Sequence, residues 1–302
     1  MAARAQRPAR TVRVSRWAGA TLLAAGLGLT MAAPALAAPS RPAASAPSGV
    51  QAKAAAIAIA SSGHVLWSRD LNTELPMASI TKVMTALVVL RAGDLSRKIT
   101  VPSAVLSYVD IHDASNAGLR PGDTLTAAQL LEAMLLPSGA DAAYTLAEAY
   151  GPGLRAFVAT MNATAGKLGM TRTHFSNFDG LPWPTAYSDY STPANLIMLG
   201  RAAMKWAVFR SVVDQRSYRI TATSAHHAYY WQNLNPLLSA YRGAIGIKTG
   251  WTPAAGRCLL FEAERDGRTF IGVELDGSGV GSTVNANDAS RMLNWAFSLP
   301  EK

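Results

Sequence analysis

Short strand-like segments at both ends of this chain, with helical ones filling the middle, leave few folds open to it. Ala54 to Ala60 is apolar and in part β-branched, Ser61-Ser62-Gly63 is turn-like, and Val65-Leu66-Trp67-Ser68 resumes the strand pattern, which predicts a β-hairpin. Toward the other end, Gly246 to Gly250, Cys258 to Phe261 and Phe270 to Leu275 predict three strands joined by short turns, followed by a helix from Ala289 to Phe297. Between these ends Val83, Met84, Leu87, Val88 and Leu90 recur at helical spacing, giving a core helix from near Ser79 to about Gly93. Further helices are predicted from Thr126 to about Leu136, from Ala140 to Ala149, and from Leu154 to Leu168 with Gly169 as its stop. One more runs from Pro193 to Trp206 behind a Ser191-Thr192 cap. The expected class is α+β: an antiparallel sheet built from both chain ends and flanked by helices, with a mainly helical subdomain inserted.

The first residues form a separate block. Arg4, Arg7, Arg10, Arg13 and Arg16 occur with no acid among them, an apolar run extends from Trp17 to about Met31, and Ala35-Leu36-Ala37 follows. A basic start, an apolar stretch and a small-x-small site predict a secretory signal peptide over residues 1–38, with a retained membrane anchor as the alternative. Residues 39–50, rich in Pro, Ala and Ser, read as a flexible leader to a single domain over 51–302. With 49% hydrophobic and 16% charged residues, that length builds a sizeable core. Losing five arginines takes the formal charge from +9 to +4, so the basicity belongs mostly to export and no nucleic-acid partner is expected. The one cysteine, Cys258, cannot close an intramolecular disulfide and reads as a buried structural thiol. His226 and His227 are adjacent rather than one helical turn apart and read as loop or strand residues, so no metal site is expected.

Three polar elements fall on this frame. In Ser79-Ile80-Thr81-Lys82 the serine and lysine are three residues apart, so on a helix they share a face and the amine reaches the hydroxyl. A serine is a weak nucleophile until a base takes its proton, and a lysine is such a base when burial or the positive end of a helix lowers its proton affinity. Of all the lysines in the chain, only Lys82 has a serine three residues before it. Ser138-Gly139-Ala140 follows Pro137 at a helix end, where a serine is by default a cap or turn residue. Lys248-Thr249-Gly250 lies in a strand-like run, where glycine lets another backbone approach and lysine with threonine suits a carboxylate. Singly, each also fits an ordinary capped helix, turn or edge strand. In succession they point to acyl transfer in a groove between sheet and helical insert.

In that order the elements match the S-x-x-K, S-x-N and K-T-G series of penicillin-recognising serine enzymes, with Ala140 where the series has asparagine. From about Ala54 to Ala296 the chain resembles the D-alanyl-D-alanine carboxypeptidases among low-molecular-mass penicillin-binding proteins. The flanks carry the likeness further: Gly118 to Asp123, Met134 to Ala143, His174-Phe175 with Asp179-Gly180-Leu181, and Gly246 to Gly256. The resemblance implies a β-lactamase/penicillin-binding-protein-like transpeptidase fold. It implies a serine carboxypeptidase acting on peptidoglycan stem peptides that end in D-Ala-D-Ala, inhibited covalently by β-lactam antibiotics and needing no cofactor. It also implies roles: Ser79 attacks, Lys82 takes its proton, and Ser138 relays a proton to the leaving amine. Lys248 and Thr249, within the element that includes Gly250, hold the substrate carboxylate, and the N–H groups of Ser79 and Trp251 form the oxyanion hole. Alanine at 140 implies a slower or differently selective enzyme. The chain ends soon after its last helix, so no C-terminal membrane anchor is expected, and the protein is expected to be extracellular or associated with the cell wall.

Three alternatives share the fold, one of them transpeptidation, in which an amine replaces water at the acyl-enzyme. A serine β-lactamase needs a deacylating glutamate between the second and third elements, where this chain offers Asp179 and Asp189. A peptidoglycan-binding protein that had lost turnover would keep the fold with Ala140 as its first sign of decay.

Overall fold

The computed structural model describes residues 46–277 and 284–300, which lie in one unit. The expected signal peptide, and the leader up to residue 45, lie outside the described residues. In chain order the strands are β1 (Ala54–Ile59), β2 (Val65–Arg69), β3 (Leu75–Pro76), β4 (Lys98–Thr100), β5 (Thr124–Thr126) and β6 (Tyr190–Ser191). They continue with β7 (Ser217–Ile220), β8 (Tyr229–Gln232), β9 (Ala244–Thr252), β10 (Gly256–Arg265) and β11 (Arg268–Gly277). The helices are α1 (Thr81–Ala92), α2 (Ala104–Ile111), α3 (Ala127–Leu135), α4 (Ala140–Tyr150) and α5 (Leu154–Leu168), then α6 (Pro193–Met204), α7 (Ala207–Asp214), α8 (Leu237–Ala240) and α9 (Val284–Ser298).

The two chain ends make one antiparallel sheet in the order β2-β1-β11-β10-β9. Helices cover both of its faces, so β1 alternates between two apolar environments rather than between core and water. Ala54, Ala56 and Ala58 join the larger core cluster beneath the helical subdomain, whereas Ala55 and Ile57 join the smaller one around α9. Small side chains let α6 and α9 approach the sheet closely. In β10, Cys258 and Leu260 face the larger cluster while Leu259, Phe261 and Ala263 face the smaller. Asp266 and Gly267, both with positive φ, join β10 to β11 in the two-residue turn that Asp-Gly favours.

Side-chain caps set the starts of α3 and α6, and a left-handed glycine sets the stop of α5. Thr126 caps α3 and exchanges hydrogen bonds with Gln129 in a full capping box. Thr192 accepts from the Asn195 N–H ahead of Pro193 at the head of α6, and α5 ends on Gly169 at φ +77°. α1 is buried from Thr81 to Leu90, which makes it the central helix. It packs against α3, α4, α5 and α6, and so fixes the sheet to the subdomain.

Several elements lie outside the sequence reading. Of α2 only Val105 is buried, so no apolar stripe announces it. The helix expected to reach Trp206 stops at Met204, and Trp206 leads into α7. In the β7–β8 hairpin the opposed Tyr218 and Trp231 rings stack, and a contact distant in sequence ties it down: Trp231 Nε1 donates to the Ala117 carbonyl at 2.8 Å. His226 and His227 lie in its loop, where His227 Nδ1 sits 2.9 Å from Asp123. Cys258 is fully buried, as expected.

Candidate active site

Ser79 sits in the middle of a 3-10 turn, Ala78–Ile80, that runs straight into α1. Ala78 takes a left-handed φ of +47°, a conformation costing an L-residue ~1–2 kcal/mol and found where local geometry is over-determined. Lys82 follows in the first turn of α1; its amine donates to Ser79 Oγ at 2.9 Å and to the Asp179 carbonyl at 3.0 Å. Lys82 is 1% exposed, while Ser79 is only partly buried. Burial lowers the proton affinity of the amine, and the charges of Asp179, Asp141 and Asp189 act against that shift. A neutral amine here accepts the serine proton along the same short contact.

The opposite wall is β9, an edge strand whose sheet partner is β10 on one side only. One of its faces packs against the Ala78–Ile80 turn. The approach is close because Gly250 has no side chain: a Cβ there would stand 2.8 Å from the Met77 carbonyl oxygen and 3.1 Å from the Ser79 nitrogen. Lys248 is also 1% exposed and donates to the Thr249 carbonyl at 3.1 Å. Burial first, and the charge of Lys82 second, hold its proton affinity well below the ordinary lysine value. A buried amine depressed further by the charge of a second buried amine makes a place where an anion is stabilised. Thr249 is partly buried, and Trp251, at 59% exposure, projects from the far end of the element.

Ser138 forms the corner between α3 and α4 with φ +66° and is buried. Its carbonyl accepts from Ser115 Oγ at 2.7 Å, and the Ala140 N–H donates to the Ser115 carbonyl at 2.8 Å. The buried Asp141 carboxylate accepts from the N–H groups of Ala117, Leu119 and Ala142, which ties the 115–119 segment to the head of α4. Since α4 packs on α1, the corner comes up to the helix carrying Lys82, close enough for Asp141 to act on the lysine's charge. The Ala140 methyl is fully buried.

The segment from Ser176 to Asp189 closes the remaining side. Gly180, at φ +84°, passes so close that a Cβ would lie 1.9 Å from the Ala78 carbonyl oxygen. The Asp179 carboxyl accepts from Tyr108 OH at 2.9 Å and from the Leu181 N–H at 3.2 Å. Asp189 accepts from Thr81 Oγ1, Ser176 N–H and Asn177 N–H, and burial pushes its carboxyl up to about 8. Both carboxyls are thus committed to the scaffold around Ser79.

The structure therefore brings Ser79, Lys82, Lys248 and Gly250 together by direct contact or charge, and carries Ser138, Thr249 and Trp251 on the elements that flank them. Sequence reasoning missed the bracing role of Asp141, although an acid in the first turn of a helix was a visible signal. Tyr108 left no signal, because its helix shows no periodicity.

Comparison with known proteins agrees with this geometry. Residues 40–279 match the model of peptidase family S11, D-alanyl-D-alanine carboxypeptidase. A D-alanyl-D-alanine carboxypeptidase of Streptomyces sp. (strain K15) is 39% identical over 249 residues, covering 78% of this chain and 84% of that protein. The D-alanyl-D-alanine carboxypeptidase DacB2 of Mycobacterium tuberculosis is 38% identical over 240 residues, covering 79% of each. The crystal structure of the Streptomyces K15 DD-transpeptidase superposes with a TM-score of 0.79 at 37% identity, covering 84% of this chain and 100% of that one. By family model, by identity and by fold, the chain belongs to the D-alanyl-D-alanine carboxypeptidase family.

Proposed function

We propose that the protein is a serine-type D-Ala-D-Ala carboxypeptidase that removes the terminal D-alanine from peptidoglycan stem peptides through an acyl-enzyme on Ser79. The observation that carries this reading is the 2.9 Å contact between the buried Lys82 amine and Ser79 Oγ, set against an edge strand that holds a second buried lysine. Lys248, with Thr249, receives the terminal carboxylate, and that anion in turn favours the charged form of Lys248. The stem backbone lies along the open edge of β9, where main-chain groups pair as in an added strand. Lys82 takes the hydroxyl proton as Ser79 Oγ adds to the carbonyl carbon between the two D-alanines. The developing oxyanion is met by the N–H groups of Ser79 and Trp251. Ser138 passes a proton to the leaving amine, D-alanine departs, and water hydrolyses the ester to regenerate Ser79.

The hydrogen bonds that occupy Asp179 and Asp189 weigh against the β-lactamase alternative, since neither carboxyl is left open as a deacylating base. β-Lactams should therefore form long-lived adducts. We assign residues 51–302 to the peptidase domain, residues 1–38 to an export signal and residues 39–50 to a leader. This assignment places the mature protein outside the cell or at its wall. No helix among the described residues is long and apolar enough to cross a membrane.

The test is intact mass spectrometry of the mature protein during incubation with benzylpenicillin, beside Ser79→Ala. A persistent single adduct that the variant lacks supports the proposal. Absence of any adduct at saturating drug overturns it in favour of a binding protein without turnover, and rapid release of the adduct favours the β-lactamase.

A further inference from the structure

Tyr108 lies on α2, outside the three sequence elements, yet its hydroxyl donates to Asp179 Oδ2 at 2.9 Å. Two bonds run onward from Asp179: its carbonyl accepts the Lys82 amine at 3.0 Å, and its Oδ1 accepts the Leu181 N–H. The ring is held by neighbours rather than by its hydroxyl. It sits 5.2 Å from the Tyr144 ring and 5.4 Å from the Phe178 ring, and the His112 ring, 4.7 Å away, links it to Trp183 at the rim. A phenol fixed on three sides by rings and donating to a buried carboxyl is an anchor in a rigid position.

We propose that Tyr108 is a positioning residue for the acylation base: by anchoring Asp179 it fixes the carbonyl that orients the Lys82 amine and the carboxylate that faces the amine's charge. This rests on reading Lys82 as the base for Ser79. The groups around the amine are Asp179 and Asp189 from the 176–189 segment, Asp141 from α4 and Lys248 from β9. Those around Asp179 are Lys82, Tyr108, His112 and Asp189. The Tyr108 hydrogen bond favours the ionised carboxylate of Asp179, and that carboxylate raises the proton affinity of Lys82. Loss of the hydroxyl therefore leaves Asp179 more readily protonated and the Lys82 amine more readily neutral.

Tyr108→Phe keeps the ring and removes only the donor, and it tests the proposal through the pH profile of acylation by benzylpenicillin. The acid limb should move toward lower pH by up to about one unit, the scale of one charge-assisted hydrogen bond. The plateau rate should fall about tenfold as the amine loses its fixed direction. Asp179→Asn should move the limb the same way and make a further Tyr108→Phe change silent. An unshifted limb in Tyr108→Phe overturns the proposal, as does an undiminished shift on the Asp179→Asn background. A variant damaged only in folding would lose thermal stability and active fraction without moving the limb, which also counts against the proposal. Lys82→Ala separates the two levels. If it acylates with the wild-type profile, the reading of Lys82 as base fails; if it is inert while Tyr108→Phe is unchanged, only the role of Tyr108 fails.

Discussion

Replacing Gly250 by alanine tests the contact on which the site depends. The added Cβ would lie 2.8 Å from the Met77 carbonyl oxygen, 3.1 Å from Ala78 Cβ and 3.1 Å from the Ser79 nitrogen. Carbon and oxygen settle at about 3.3–3.6 Å, so strand and turn must part by roughly half an ångström. All three opposing atoms belong to the chain around the nucleophile, and no flexible side chain can swing away instead. As an edge strand, β9 can yield outward, which limits the cost in stability to ~1–3 kcal/mol and the fall in Tm to about 3–10 °C for a domain of this size. Catalysis has no such relief, because the same displacement separates the Ser79 and Trp251 N–H groups that are to share one oxyanion. Loss of one such donor typically costs about 10²–10³ in rate. The acylation rate with benzylpenicillin, followed by mass spectrometry beside a thermal melt, is expected to drop about 10²-fold in a protein that still melts cooperatively. Acylation at the wild-type rate would refute the placement of the oxyanion hole between the two elements.

Three further outcomes are expected. Ala140→Asn should raise acylation by a D-Ala-D-Ala peptide by up to about 10² while lowering Tm, because it adds a missing substrate contact at a fully buried methyl; an unchanged acylation rate would remove Ala140 as the limiting departure. Asp141→Ala strands the N–H groups of Ala117, Leu119 and Ala142, and should cost ~3–5 kcal/mol in a denaturant titration and abolish acylation as the Ser138 corner loosens. Glu274 is buried in β11 with neither carboxyl oxygen hydrogen-bonded, and burial, then the charge of Asp288, pushes its carboxyl well above the usual range. Its folded form keeps a proton that the unfolded form gives up near pH ~4.3, so stability is full below that pH and declines as pH rises toward the folded value. Glu274→Gln cannot lose that proton, and between pH 5 and about pH 8 the Tm of the wild type should fall relative to the variant's; parallel Tm curves would contradict the assignment.

Much of this site was legible because its chemistry is local. Ser79 and Lys82 need only one helical turn to meet, and the helix announces itself through the spacing of Val83, Leu87 and Leu90. Lys248, Thr249 and Gly250 stand in an apolar run that reads as a strand. What could not be read were the contacts between distant segments: the Asp179 carbonyl on Lys82, the Asp141 carboxylate on the 115–119 segment, and Tyr108 on Asp179. None of these contacts has a period or fixed spacing. The α2 helix and the β7–β8 hairpin escaped for the same reason, since tertiary contacts hold them and pattern does not.

By itself the sequence determined the α+β order of elements, the capped start of α6 and the glycine stop of α5, and the residue types able to perform acyl transfer. These follow from propensity, periodicity and side-chain chemistry, all properties of short stretches of chain. Only the tertiary structure decided that Lys248 is buried in the field of Lys82, that Gly250 touches the backbone of Ser79, and that Asp179 and Asp189 serve the scaffold. Proton affinity and close approach depend on what lies across the groove, and that is fixed only when the sheet, α1 and the helical insert pack together.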